Sequence, residues 1–138
     1  MKAVYPVIFT ETEDGVLVEV PDLEILTEVK DIQDAIEMAR DAIGITGISM
    51  QDYGETIPEP TNFGEVDINT GTFAADGKSR VSLVDIDFDV YRRKNDVKTV
   101  RRNVTLPNWL NREAEEAHIN VSKVLQEALM TKLGVNKY

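Results

Sequence analysis

The spacing of apolar residues changes period along this chain, and those changes dictate its fold class. Apolar residues fall in extended runs over residues 2–10, 16–20 and 25–29. The runs are divided by the turn Glu11-Thr12-Glu13-Asp14-Gly15 and by Pro21-Asp22. Asp-Gly offers a residue free to take positive φ between β-branched-rich runs, which predicts a hairpin followed by a third strand. Asp31 is a good N-cap, and Ile32, Ala35, Ile36, Ala39 and Ile43 then recur at three- and four-residue spacing, the mark of one buried helical face. That helix is expected to run to about Tyr53, its second half weakened by Gly44 and Gly47, with Pro58 and Pro60 beyond its end. After a loop or hairpin turn over residues 69–77, period two returns from 79 to 90. It puts Val84, Ile86, Phe88 and Val90 on one face and Asp85, Asp87 and Asp89 on the other. The order β-β-β-α-β predicts an α+β unit with the helix on one face of the sheet.

Charge divides the chain at about the same place. Of the net charge of −10, residues 1–95 carry −12 and residues 96–138 carry +2. The acidity that argues against a phosphate backbone as partner therefore belongs to the first segment alone. A chain of 138 residues with 42% apolar content can form one domain or two small ones. The charged stretch Arg92-Arg93-Lys94-Asn95-Asp96 has no apolar period and reads as a solvated linker, which gives an N-terminal domain over 1–91, a linker over 92–98 and a C-terminal domain over 99–138. Without cysteine there is no disulfide framework, thiolate nucleophile or cysteine-held metal, and one histidine, His118, excludes a His-rich cage. No apolar stretch reaches the roughly 18 residues that cross a bilayer, and no basic-then-apolar leader opens the chain, so a cytoplasmic protein is expected.

From Val100 the alternation resumes, with Arg101, Asn103 and Thr105 pointing one way and Val104 and Leu106 the other. Pro107 stops this strand and suits the first turn of a helix, in which Leu110, Ala114 and Ala117 follow at helical spacing up to about His118. Asn120 is a good N-cap for a second helix, where Val121, Val124, Leu125, Ala128, Leu129 and Leu133 form a broad apolar face before Gly134 ends it. One strand and two helices can neither pair their own backbone nor bury this surface. A second copy is required, so the chain is expected to be a homodimer.

The run Val100 to Pro107, with Ala117-His118-Ile119-Asn120-Val121-Ser122 and Leu125-x-x-Ala128, resembles the ribbon-helix-helix pattern of Arc and MetJ-type repressors. That resemblance implies that two strands pair antiparallel and enter the DNA major groove. Arg101, Asn103 and Thr105 then meet base edges, for which these residue types suit guanine, adenine and thymine. It also implies that the start of the second helix, Asn120-Val121-Ser122, holds a phosphate through its free amides, with Lys123 adding charge. Arg102 departs from the pattern, falling on the inward face where the family usually places an apolar residue.

Across nearly its full length the chain also resembles the HicB antitoxins. The resemblance is carried by Tyr5-Pro6-Val7-Ile8-Phe9, the run Glu13 to Leu23, Asp34-Ala35 at the helix entry, and Ile57-Pro58-Glu59-Pro60. After Pro21-Asp22-Leu23 the sequence Glu24-Ile25-Leu26 replaces the family's usual turn. The resemblance implies a truncated ribonuclease-H-like N-terminal domain joined to a DNA-binding module. It also implies a HicA-like partner, a small basic RNA-cleaving toxin that the antitoxin neutralises, and repression of the antitoxin's own operon through operator DNA. A net of −12 suits a basic partner.

Asp85, Asp87 and Asp89 are expected to form a solvated acidic face or a toxin-binding surface. With Asp67 they could also be imagined as a magnesium-dependent nuclease site. Same-face neighbours on a strand lie roughly 6.5–7 Å apart, however, whereas metal-sharing carboxylates must converge. No metal, cofactor or catalysis is therefore expected. Glu13, Asp14 and Glu19 read as solvated residues, and Trp109 as a packing residue. The alternative function is a stand-alone repressor whose N-terminal domain senses a small ligand.

Overall fold

The computed structural model describes residues 1–136. It divides into two compact units, Met1–Arg92 and Arg93–Tyr138, and the last two residues of the second, Lys137 and Tyr138, lie outside the described residues.

In the first unit, strands β1 (Lys2–Glu11), β2 (Val16–Val20) and β3 (Ile25–Val29) precede helix α1 (Ile32–Asp52), which is followed by strand β4 (Lys78–Asp87) and helix α2 (Phe88–Asn95). The four strands form one sheet in the order β3-β2-β1-β4, with every ladder antiparallel. Asp31 caps α1, its carboxylate accepting from the Asp34 amide at 2.9 Å. Tyr5, Val7 and Phe9 of β1, Val16, Val18 and Val20 of β2, and Val84 and Ile86 of β4 are buried with Ala35, Ala39 and Ile43 of α1. The predicted mixed α+β unit is therefore present.

Four expectations change. Ile32 and Ile36, expected inside, are 42% and 39% exposed. The buried stripe of α1 is instead Ala35, Ala39, Ile43, Gly44 and Gly47, because small residues let the helix axis approach its neighbours and leave the bulkier flanks outside. The strand expected to reach Val90 stops at Asp87, and the expected linker begins as helix α2. Asp87 makes this switch: its Oδ1 accepts from the amides of Asp89 and Val90, the action of a helix cap, so period two ends where the cap begins. Glu19, expected in solvent, is 8% exposed. It lies on the sheet face opposite α1, where its carboxylate accepts from the Thr72 amide at 2.9 Å and ties the 61–76 segment across Ile8. Finally, residues 100–106 form no ladder, because a ladder needs a second strand and the described chain supplies none.

Helix α2 sits on α1 through a matched pair of spacings. Gly44 and Gly47 face the rings of Tyr91 and Phe88, and a Cβ added at either would lie 2.6 Å and 2.1 Å from ring carbons. Tyr91 Oη donates to Asp41 Oδ1 at 2.7 Å, and Arg92 pairs with Asp52 at 2.9 Å while donating to the Ile48 carbonyl. Burial, and then the bond to Asp41, push the Tyr91 phenol up to about 12. Ionisation is thus harder in the folded chain. The stabilisation linked to this phenol is complete below its ordinary value near 10 and is lost as pH rises through about 12. A phenolate absorbance step near pH 12 is expected, and Tyr91→Phe should remove it; persistence of that step in the variant would show that another tyrosine carries it.

Candidate functional site

The second unit is built from an extended segment, helix α3 (Asn108–Glu116) and helix α4 (Val121–Leu133). Pro107 precedes α3 as its cap, with the Asn111 amide donating to its carbonyl at 3.1 Å. The α3–α4 corner is a Schellman turn, in which Ile119 N–H reaches Ala114 O and His118 N–H reaches Glu115 O. His118 holds the left-handed position of that turn at φ 53°, so its place in the fold is that of a corner residue. Gly134 ends α4 in the same way, with its own amide and that of Val135 bonded to Thr131 O and Met130 O.

Arg101, Asn103 and Thr105 are all exposed in the extended segment. At the other predicted contact, Asn120 Oδ1 accepts from the Lys123 amide at 3.1 Å and its carbonyl accepts from the Val124 amide. The amides of Val121 and Ser122 are left at the helix start, where no intrahelical acceptor exists and the dipole is positive. That end of α4 can accept an anion, with the Lys123 ammonium one turn away.

Beside these polar groups lies much apolar surface. No described residue of this unit is buried. Val100, Val104, Leu106, Trp109, Ile119, Val124, Leu129 and Leu133 are each at least 41% exposed. Trp109, expected to pack, is 63% exposed in the single chain. An extended segment with unpaired backbone and two helices with open apolar faces lacks only a partner surface of the same kind.

The predicted acidic trio is split by the fold. Asp85 and Asp87 lie on β4 and Asp89 in the first turn of α2, so the three share no strand face. Each already has partners: Arg40 pairs with Asp85 at 3.0 Å, Asp87 caps α2, and the Met1 amine bonds Asp89. The amide bond from Val90, aided by the Met1 amine, holds the Asp87 carboxyl below the usual carboxylate range. Among the described residues no group of three or more His, Cys, Asp or Glu side chains is placed to hold a metal ion. No helix among them is long and apolar enough to cross a membrane.

The groups that position these elements and that patterning missed are Glu19, Gly44, Gly47, Phe88 and Tyr91. The one legible signal was arithmetic: two glycines three apart in a helix, and two aromatic residues three apart at the end of a strand.

Comparison with known proteins agrees with this geometry. No curated protein sequence matches the chain. A chain of a structure described as a toxin–antitoxin complex from Streptococcus pneumoniae is 22% identical, with 96% of this chain and 99% of that one covered and a TM-score of 0.60. The crystal structure of the Burkholderia pseudomallei antitoxin HicB is also 22% identical, with coverage of 96% and 97% and a TM-score of 0.51. The family described as HicB_like antitoxin of bacterial toxin-antitoxin system matches residues 5–129. With that match spanning both units, this chain belongs to the HicB-like antitoxin family of bacterial toxin–antitoxin systems.

Proposed function

We propose that the chain neutralises a small, basic, HicA-like RNA-cleaving toxin by direct binding, and represses its own operon by binding operator DNA in the cytoplasm. In this reading residues 1–91, of truncated ribonuclease-H-like shape, take the toxin. Residues 99–138 form a ribbon-helix-helix module that dimerises, with 92–98 between them, and the antitoxin acts as a binder rather than an enzyme.

The observation that carries the reading is the second unit's lack of any buried residue. A segment with unpaired N–H and C=O groups beside two open apolar helix faces is stable once a second copy supplies both a strand and a core. The paired strands then form a ribbon of the width that a major groove admits, with Arg101, Asn103 and Thr105 on its outer side. Asn120, Val121, Ser122 and Lys123 meet a phosphate at the start of α4.

Toxin binding rests on the first segment's charge of −12, which attracts a basic protein and repels nucleic acid. Asp85, Asp87 and Asp89 form one end of that acidic surface. Since their carboxylates are engaged within the chain, most of the attraction is assigned to the field of the unit as a whole.

Co-purification from the native host tests the pairing. A stoichiometric small basic protein is expected, held by chains present in even number. A bound metabolite with no protein partner would overturn the antitoxin assignment in favour of a ligand-sensing repressor.

A further inference from the structure

Strand β4 is an edge of the sheet, and it is as long as the central strand β1, ten residues each. Its backbone direction can be read from two bonds. The Phe88 amide reaches inward to Met1 O, whereas the Asp85 carbonyl points outward and accepts from Arg40 Nε at 3.1 Å. In an antiparallel ladder successive residues alternate, so Ser79, Val81 and Leu83 also present their N–H and C=O groups to the free edge. Arg40 covers only the Asp85 end.

Both faces of this open stretch carry exposed apolar side chains. On the face away from α1, Leu83 is 51% exposed, and Val4, on the neighbouring strand, is 46% exposed. On the α1 face a groove of about 410 Å³ runs beside β4, lined by Phe9, Ile32, Ile36 and Ser82 among others. Ile32 and Ile36 are the residues that helical patterning expected inside. A long edge flanked by apolar side chains is a site for strand addition, unless charge or bulges blunt it.

The charges along β4 choose the occupant. Lys78 and Arg80 stand at one end of the strand, Asp85 and Asp87 at the other, so the edge as a whole attracts neither a basic nor an acidic partner. A second β4 laid antiparallel brings the cationic end of one strand beside the anionic end of the other, whereas a parallel one brings like ends together. We propose that β4 pairs antiparallel with β4 of a second copy, about a two-fold axis at Ser82. Val81 of each chain then lies opposite Leu83 of the other as a hydrogen-bonded pair, and the two sheets continue into one of eight strands. Ile32 and Ile36 of the two helices close over the junction. This interface lies in the first unit and is separate from the pairing of residues 100–106, so the two together build assemblies larger than a dimer.

The chain contains no cysteine, so one introduced thiol reports the contact directly. In this register Ser82 faces its own copy in a non-hydrogen-bonded pair, where Cα atoms lie about 4.5 Å apart, within disulfide reach. Ser82→Cys in the full chain is expected to convert to a covalent dimer under mild oxidation. Glu28→Cys, equally exposed on the opposite edge strand, should remain uncrosslinked. Adding Leu83→Lys to the Ser82→Cys chain should slow cross-linking roughly tenfold, equivalent to about 1.4 kcal/mol of lost pairing. Cross-linking no faster than in Glu28→Cys, or a rate unmoved by Leu83→Lys, overturns the proposal.

Discussion

Replacing Arg101 and Asn103 together by alanine is expected to abolish operator binding and to leave toxin neutralisation intact. Each bidentate contact between a side chain and a base edge contributes about 1–3 kcal/mol of discrimination, so the double change removes roughly 2–6 kcal/mol per half-site. A dimer reads two half-sites. Even the smaller figure, counted twice, is close to a thousandfold in affinity. Both side chains are fully in solvent in the single chain, so their removal should leave the fold untouched. Lys123→Ala provides the contrast. A phosphate contact carries no sequence information, so this change should weaken operator and random DNA alike and lower the salt dependence by about one counterion per copy. Gel-shift titrations at two salt concentrations, with a toxin-inhibition assay on the same preparations, measure both effects. An unchanged operator affinity in the double variant would sink the assignment of the DNA-reading face.

The largest loss of stability is expected at the α1–α2 contact. Phe88 is 1% exposed, and its ring occupies the space above Gly47. Phe88→Ala should cost about 3–5 kcal/mol through lost burial and the cavity left behind. Gly47→Ala sets two effects against each other. The methyl group improves helix propensity by roughly 0.5–1 kcal/mol, but it collides with a ring that must move, a strain of about 1–3 kcal/mol. A Cβ that would stand 2.1 Å from Phe88 Cε1 makes the strain the larger of the two. The sign reverses once the ring is gone: in a Phe88→Ala background, Gly47→Ala should restore stability, because the methyl fills part of the cavity and keeps its helical preference. For a unit of this size each kcal/mol moves Tm by about 4–8 °C, so Phe88→Ala alone should lower it by roughly 12 °C or more. Thermal unfolding of the two single variants and the double variant tests this; strictly additive losses would mean that the ring and the glycine do not meet.

This contact also marks where sequence reading stopped. Val16 to Val20 and Ile25 to Val29 were legible to the residue, because apolar and polar positions alternate and turn residues bound each run. The caps Asp31 and Asn120 were legible because an oxygen-bearing side chain ahead of a helical period has one structural use. Phe88 was not, since it satisfies both a period-two pattern running back to Val84 and a helical one running forward to Tyr91. Asp87 breaks the tie by offering its carboxylate to the Asp89 and Val90 amides, an event that patterning does not weigh. Glu19 was misread for a related reason: the 61–76 segment that covers it comes from more than forty residues away, and local polarity cannot register such a cover.

By itself the sequence determined the kinds of element, most of their caps, the separation of charge between the two segments and the need of the second for a partner. These follow from short-range rules, in which side-chain spacing and backbone hydrogen bonding act within one turn or one strand. Only the tertiary structure decided which face of α1 is buried, where β4 yields to α2, which carboxylates are engaged, and which edge of the sheet stays open. Each of those depends on how closely two distant segments can approach. Backbone at Gly44 and Gly47 meeting the rings of Tyr91 and Phe88 is a matter of packing distance, which the period of a sequence does not contain.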